Sequence, residues 1–429
     1  MRHLVNASAL IGLSLALMSP VATFAQSAST AGSLVIVGGA LSRDNEVVHR
    51  AFISRAVGNR TARFAIIPSA SGGPAGAADS FKKTLIRYGV PANRIDVVHL
   101  ATQDDRDTPN VDESRWANAN NPAEIAKINA AGAIWFTGGD QARTIRLLLA
   151  PQTGADTPML TAIRQRLING AVIGGSSAGA AIMSPTMIAR GDSLQALLQP
   201  ALASAEDSDM DGGPLVMAPG LGFFPGSLVD QHFDRKARLG RLARALALLP
   251  TPSRIGFGID EDTALVIDFK TNEATSVGAG GVSVIDARTA IARETSGRFG
   301  VTGMSLSYFG GGDGLNLTTL AVTPATYKKP TLGREYYDHP AMNGGGMAVP
   351  NNRVDEALGV DLLDNKVVTS INRTSFDGSG KGIVYRFTET PQSQGWFGND
   401  DAGKGRYTIS KVQFDIDPVD ISILPAGVR

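Results

Sequence analysis

Between Ser33 and Ile173, short β-branched apolar runs alternate with stretches of helical periodicity, and this alternation constrains the fold more than any other feature of the chain. Ser33-Leu-Val-Ile-Val-Gly-Gly39 is a buried-strand pattern ending in glycines. A helix is predicted over 45–57, a second strand over 63–67 closed by Pro68, a helix over 79–88 and a third strand over 95–98. Next come a helix over 122–130, a fourth strand over 133–136 running into Thr137-Gly-Gly-Asp140, a helix over 160–167 and a fifth strand over 171–173. The repeat predicts an α/β fold: a three-layer α/β/α sandwich around a mainly parallel sheet. Ligands of such sheets sit at the carboxyl ends of the strands. That rule singles out the loops after Ile67, Phe136 and Ile173.

The pattern changes near Ile255. Short strands are predicted over 264–268, 282–286 and 315–322, finishing the same domain as hairpins or edge strands. Residues 326–350 are rich in Gly, Pro and Tyr and read as a linker or extended arm. The expected organisation is an α/β domain over 26–328, a linker over 329–350 and a small β-rich C-terminal appendage over 351–429, with its clearest strands at 382–387 and 407–414.

Residues 1–25 differ in kind. A weakly basic start, an apolar run from Ala9 to Met18 and the small-residue end Thr23-Phe-Ala25 predict a secretory signal cleaved near Ala25. The apolar run is far shorter than the ~20 helical residues that span a bilayer. Its removal takes away Arg2 and no acid, so a chain with 40 basic and 40 acidic residues becomes net −1. The expectation is a secreted or periplasmic protein with no membrane partner after signal removal. A balanced charge gives no reason to expect nucleic acid.

The chain has no cysteine, which excludes disulfides, thiolate metal sites and a cysteine nucleophile. The strongest chemical signal is Gly175-Ser-Ser-Ala-Gly179, which follows the fifth strand and precedes the helix-compatible Ala180-Ala-Ile-Met183. In a nucleophile elbow a strained strand-to-helix turn lifts the serine hydroxyl into the cleft, here that of Ser177. The next amide, of Ala178, is then placed to stabilise an oxyanion. A serine needs a base, and the base an orienting group. Of the histidines left after export, His49 falls in the first helix, His99 ends the third strand and His339 lies in the linker. His232 sits in Val229-Asp-Gln-His-Phe-Asp-Arg235, where a loop turns into a helix. Gly258-Ile-Asp-Glu-Asp262 supplies three adjacent acids at a strand end, flanked by apolar residues that suggest part of the turn is held inside.

Four motifs now stand in one order: Thr137-Gly-Gly-Asp-Gln141, Gly174-Gly-Ser-Ser-Ala-Gly-Ala180, Asp230-Gln-His-Phe233 with Arg238-Leu-Gly-Arg241, and Gly258-Ile-Asp-Glu-Asp262. This order resembles that of the cyanophycinases, over roughly residues 33–325. The resemblance implies a serine exopeptidase with a glutamine-amidotransferase-like fold. Its substrate would be cyanophycin, a poly-aspartate whose β-carboxyls each carry an arginine, and its product β-Asp-Arg. It implies Ser177 as nucleophile, His232 as base and Glu261 as orienting acid, with Gly139 and Ala178 forming the oxyanion hole. It also implies a substrate site lined by Gln141, Asp230, Gln231, Arg238 and Arg241. The chain order Ser, His, Glu differs from that of α/β-hydrolases. No cofactor or metal is expected, and a homodimer is a family tendency.

The residue types suit such a substrate, which carries a carboxylate and a guanidinium on each unit. Arg238 and Arg241 share one helix face and can grip carboxylates bidentately. Two departures stand out. Lys236 occupies a position where the family usually has arginine, which keeps the charge and loses the fork. The segment Glu206-Asp-Ser-Asp-Met-Asp-Gly-Gly213 lies in a long stretch between Ser184 and Pro225. It copies the first half of an EF-hand loop but puts Ala218 where the bidentate Glu belongs. The competing expectation is an acidic flap that attracts the arginines of the substrate. An aspartyl dipeptidase acting on short Asp-X peptides, and a non-catalytic binding protein keeping the fold, are the alternative functions.

Overall fold

The computed structural model describes residues 31–203, 211–341, 343–347 and 353–422. The expected signal segment, Asp207 and Asp209 lie outside the described residues. The alternating part folds as β1 (Ser33–Val37), α1 (Glu46–Ile53), β2 (Arg63–Ile67), α2 (Pro74–Arg87), β3 (Ile95–Val97), α3 (Pro122–Ala130), β4 (Ala131–Phe136), α4 (Gln141–Leu148), α5 (Pro158–Ile168), β5 (Val172–Ser176) and α6 (Ala178–Ala181). The helices start where the sequence caps them. The side chains of Asn45, Asn121, Asp140 and Thr157 each accept from an amide of the first turn, and Pro122 and Pro158 begin α3 and α5.

The next stretch forms β6 (Thr186–Arg190), α7 (Ser193–Leu198), β7 (Val216–Pro219), β8 (Leu228–Asp230), α8 (Leu239–Ala247), β9 (Ile255–Ile259), β10 (Thr263–Asp268), β11 (Glu273–Gly278) and β12 (Gly281–Asp286). After these come β13 (Ile291–Thr295), β14 (Arg298–Gly310), β15 (Gly314–Asn316), β16 (Val322–Thr323) and β17 (Lys329–Pro330). The C-terminal region adds α9 (Val354–Leu358), β18 (Ser370–Phe376), β19 (Lys381–Thr388), β20 (Gln394–Asn399) and β21 (Gly405–Asp420).

One nine-stranded sheet runs β16-β15-β11-β10-β1-β5-β4-β2-β3. Its half from β1 to β3 is parallel, and β10 joins β1 antiparallel. Alternate residues of β1 point to opposite faces. Val35 and Val37 pack with Phe52 of α1 and Leu85 of α2. Leu34 and Ile36 pack with Ile128 of α3, Ile163 of α5 and Ala180 of α6. The expected mainly parallel sheet between helical layers is therefore present. The strand expected over 264–268 as a hairpin or edge strand is β10, which forms a hairpin with β11 and lies beside β1 in the sheet interior. The strand expected over 315–322 is two short ones, β15 and β16, because the chain turns back at Leu320 with φ 55°.

A second, ten-stranded sheet holds β8, β9, β12, β14, β21, β20 and β17 in line, with β13, β18 and β19 attached. The β-rich C-terminal region is thus present, but 328/329 is not a boundary in the pairing. β21 lies along β14, and β17 in the expected linker pairs with β20. Leu306 and Tyr308 of β14 share a core with Tyr385, Phe387, Val412 and Phe414. Lys328 and Asp313, both with fully buried side chains, meet at 2.8 Å, and Thr408 of β21 donates to the same carboxylate oxygen at 2.6 Å. A chain ending at residue 328 should be insoluble or lack a cooperative melt, because it strips β14 of β21 and uncovers the core that the two strands share. Calorimetry of the full chain should show a single transition, and two separated transitions would contradict this.

Candidate active site

Ser177 stands where β5 stops and α6 begins, at φ 57° and ψ −112°. A non-glycine residue held there stores roughly 1–3 kcal/mol of backbone strain. The expected elbow has formed, and its amide donates to the Val37 carbonyl at 3.1 Å. The next two carbonyls of the same strand end take the other loops: Gly38 accepts from the His232 amide at 2.5 Å, and Gly39 from the Asp262 amide at 2.8 Å. Three successive carbonyls therefore fix the serine, the histidine and the acidic turn against one another.

His232 follows β8 at φ 49°. Its ring lies flat against Gly39, where a Cβ would come within 2.3 Å of the imidazole Cε1. Gly39 itself has φ 109°, which only glycine adopts freely. The Nδ1–H donates to Glu261 Oε1 at 2.5 Å, and Nε2 is left to accept from the Ser177 hydroxyl at 2.8 Å. Burial holds the imidazole below its ordinary pKa; the Glu261 hydrogen bond opposes this, while Arg238 and Lys236 add to it. The arrangement makes a neutral base whose protonated form has a carboxylate waiting.

The three adjacent acids go three ways. Glu261 reaches His232, and its amide donates to Asp234 at 3.0 Å. Asp262 accepts from the Ser42 amide at 2.8 Å, tying the turn to the entry of α1. Asp260 is buried and takes Tyr308 Oη–H and the Gly281 amide, each at 3.0 Å. Burial, then the charge of Asp234, pushes Asp260 up to about 8.

The cleft beside Ser177 is lined by Gly139, Gln141, Ala189, Asp211, Gln231, His232, Lys236, Arg238 and Arg241. Gln141 begins α4, and its amide nitrogen donates to the Ile188 and Ala189 carbonyls at 3.2 and 3.0 Å. Arg238 donates to both oxygens of Gln231 at 2.6 Å. Burial, then the neighbouring Arg241, pulls Arg238 down to about 10, so it stays charged at neutral pH. Asp230 does not line the cleft. It is buried beneath it as the counter-ion of Arg241, meeting the guanidinium at 2.8 and 2.5 Å.

All the residues expected in the site are therefore brought together, with Asp230 one layer below. The other histidines lie apart. His49 is buried against Tyr88 with its rings 5.1 Å apart, His99 stacks on Trp116, and His339 lies near Asn365. Gly39 and Asp234 were not expected in the site. The doublet Gly38-Gly39 was the visible signal for the first, as glycines after a strand mark a close backbone approach. Asp211 was expected in half of an EF-hand-like loop, in an acidic flap close to Ser177 or in a plain solvated loop, and it does lie in the cleft beside Ser177. There Lys236 and Arg238 each bind one of its oxygens at 2.6 Å, so its carboxylate is paired with the cleft's own cations and not with the arginines of a substrate.

A strained serine backed by an imidazole and a carboxylate, at the carboxyl ends of a parallel sheet, marks a serine-type hydrolase. The chain belongs to Peptidase family S51, whose profile matches residues 34–274, and it is a serine-type exopeptidase. It is 32% identical to a cyanophycinase of Trichormus variabilis over 260 residues, covering 60% of this chain and 74% of that protein. It is 34% identical to a cyanophycinase of Geminocystis herdmanii over 258 residues, covering 59% and 80%. A peptidase structure from an acI-B1 Actinobacterium matches with a TM-score of 0.40 and 20% identity, covering 60% of this chain and 91% of that one.

Gly39→Ala should push the imidazole out of line and lower kcat on the order of 100-fold, the usual cost of a misplacement of about 1 Å. Steady-state kinetics alongside a melt would reveal it, and a fall in stability with kcat intact would contradict it. The depressed pKa of His232 places the acid limb of kcat/KM below pH 6.5. The same depression works against the fold in acid. Below pH 6.5 the unfolded chain holds the proton more tightly, so stability falls through that window.

Proposed function

We propose that this peptidase hydrolyses cyanophycin to β-Asp-Arg dipeptides through an acyl-enzyme on Ser177. The observation that supports this most is the relay itself, Ser177 Oγ to His232 Nε2 at 2.8 Å and His232 Nδ1 to Glu261 at 2.5 Å. In this reading Ser177 Oγ attacks the carbonyl carbon of an aspartyl α-peptide bond while His232 Nε2 takes its proton. Glu261 stabilises the imidazolium. The amides of Gly139 and Ala178 receive the oxyanion, a contribution of several kcal/mol in such sites, with roughly 2.7–4 for one donor. His232 then returns the proton to the leaving amine, and water releases the acyl group by the same path.

The substrate class rests on two supports. Named relatives of 32–34% identity are cyanophycinases. The cleft next to Ser177 also offers the cations of Lys236, Arg238 and Arg241 to the carboxylates that a β-arginylated aspartate chain carries on every unit. Residues 1–25 support the further proposal that the enzyme works after export. No helix among the described residues is long and apolar enough to cross a membrane.

Incubation with cyanophycin and mass spectrometry of the products tests the reading. β-Asp-Arg should accumulate, and Ser177→Ala should lower turnover by ~1,000-fold or more. Release from short Asp-X peptides alone would replace the polymer by the dipeptide substrate, and unchanged turnover in the serine variant would remove the mechanism.

A further inference from the structure

Two carboxylates meet the cations of the cleft, and they differ in burial. Asp230 has a side chain only 2% exposed and pairs with Arg241 beneath the cleft floor. Asp211 has a side chain 49% exposed, and it enters the cleft from the side of the chain that has no counterpart in the motifs. Lys236 Nζ donates to its Oδ2 and Arg238 Nη2 to its Oδ1, both at 2.6 Å. One cation on each oxygen, in the cleft that holds Ser177 and His232, is the contact set a ligand carboxylate needs.

The backbone explains how Asp211 arrives there. Two residues on, the Gly213 amide donates to Asp192 Oδ2 at 3.0 Å, and the Gly213 carbonyl accepts from the Asp192 amide at 3.0 Å. Asp192 also caps α7, and Ser193 Oγ at the start of that helix accepts the Arg241 amide at 3.1 Å. Asp211 is thus tethered close to an anchor beside the helix that carries Arg241, while its half-exposed side chain can leave without opening the core.

We propose that Asp211 is a tethered carboxylate that occupies the carboxylate position of the cleft and competes with the substrate for Lys236 and Arg238. This rests on the proposed function only in taking those two cations as the receivers of the substrate's carboxylate. A group tethered in this way acts at an effective concentration in the millimolar range. A ligand must then bring a carboxylate of its own to displace it, and one that binds by shape alone leaves it in place. Asp211 in this role sets specificity and holds down affinity for short acidic ligands.

The test uses the full chain with Ser177→Ala, and the same protein also carrying Asp211→Asn, each titrated calorimetrically with L-aspartate. The double variant should bind L-aspartate at least fivefold more tightly, and kcat/KM on cyanophycin should rise in the Asp211→Asn single variant. Equal or weaker binding in the double variant overturns the proposal, since Asp211 would then be a strut that positions Arg238. Failure of both proteins to bind overturns it as well. Matching melts check that the fold is kept, as expected for a half-exposed side chain. If the polymer is not cleaved at all, the function reading fails while the titration still decides the role of Asp211.

Discussion

Everything in the site hangs from three backbone hydrogen bonds at the end of β1. The carbonyls of Val37, Gly38 and Gly39 accept from Ser177, His232 and Asp262, which come from three distant parts of the chain. Backbone-to-backbone bonds set position without depending on side-chain rotamers. They also require that nothing stand between the strand end and the loops. At Gly38 a Cβ would come within 2.1 Å of the Asp260 carbonyl, and at Gly39 it would strike the imidazole. The absence of two side chains is therefore what allows the serine, the base and the acid to share one reference frame. The strain at Ser177 is held by that frame, and by the α6 amides of Ala180 and Ala181, which donate to its carbonyl at 2.8 and 3.0 Å.

The cations of the cleft obey a second constraint. A guanidinium as buried as Arg241 is tolerable only with a counter-ion in good geometry. Asp230 supplies it at both oxygens, and Gly191 accepts a further bond at 2.6 Å. The pair β8–α8 thus delivers His232 and its electrostatic surroundings as one unit. Arg238 and Lys236 share in lowering the pKa of His232, so the residues that hold charge in the cleft also keep the base neutral.

The layered half of the fold was legible because its information is local. The unbroken apolar run of β1, capping side chains before helices and Pro at their first turns all lie within a few residues of what they specify. The site was legible where a motif sits at a strand end, as for Ser177 and Glu261. The rest depends on partners far apart in sequence. Nothing near residue 301 announces that β14 will pair with Ile416, and so the C-terminal strands read as an appendage. The helix α4 was missed because Gln141-Ala-Arg-Thr has little apolar character; Asp140 caps it, and its Thr144 and Leu148 are buried. Asp211 sits in an acidic run whose composition says solvent, and only the placement of Lys236 and Arg238 turns it inward. The roles of Asp234 and Gly39 are of the same kind, since each is defined by a loop that arrives from elsewhere.

The union of β14 with β21 bears on the order in which a newly made chain becomes competent. Ser177 belongs to a sheet whose parallel strands are all made before residue 180. Glu261 follows β9, a strand of the other sheet, which is completed only when residues 405–420 dock. A growing chain therefore contains every parallel strand of the nucleophile's sheet long before the last strand of the acid's sheet is made. The two halves of the relay therefore stand on sheets whose last strands lie at very different points along the chain.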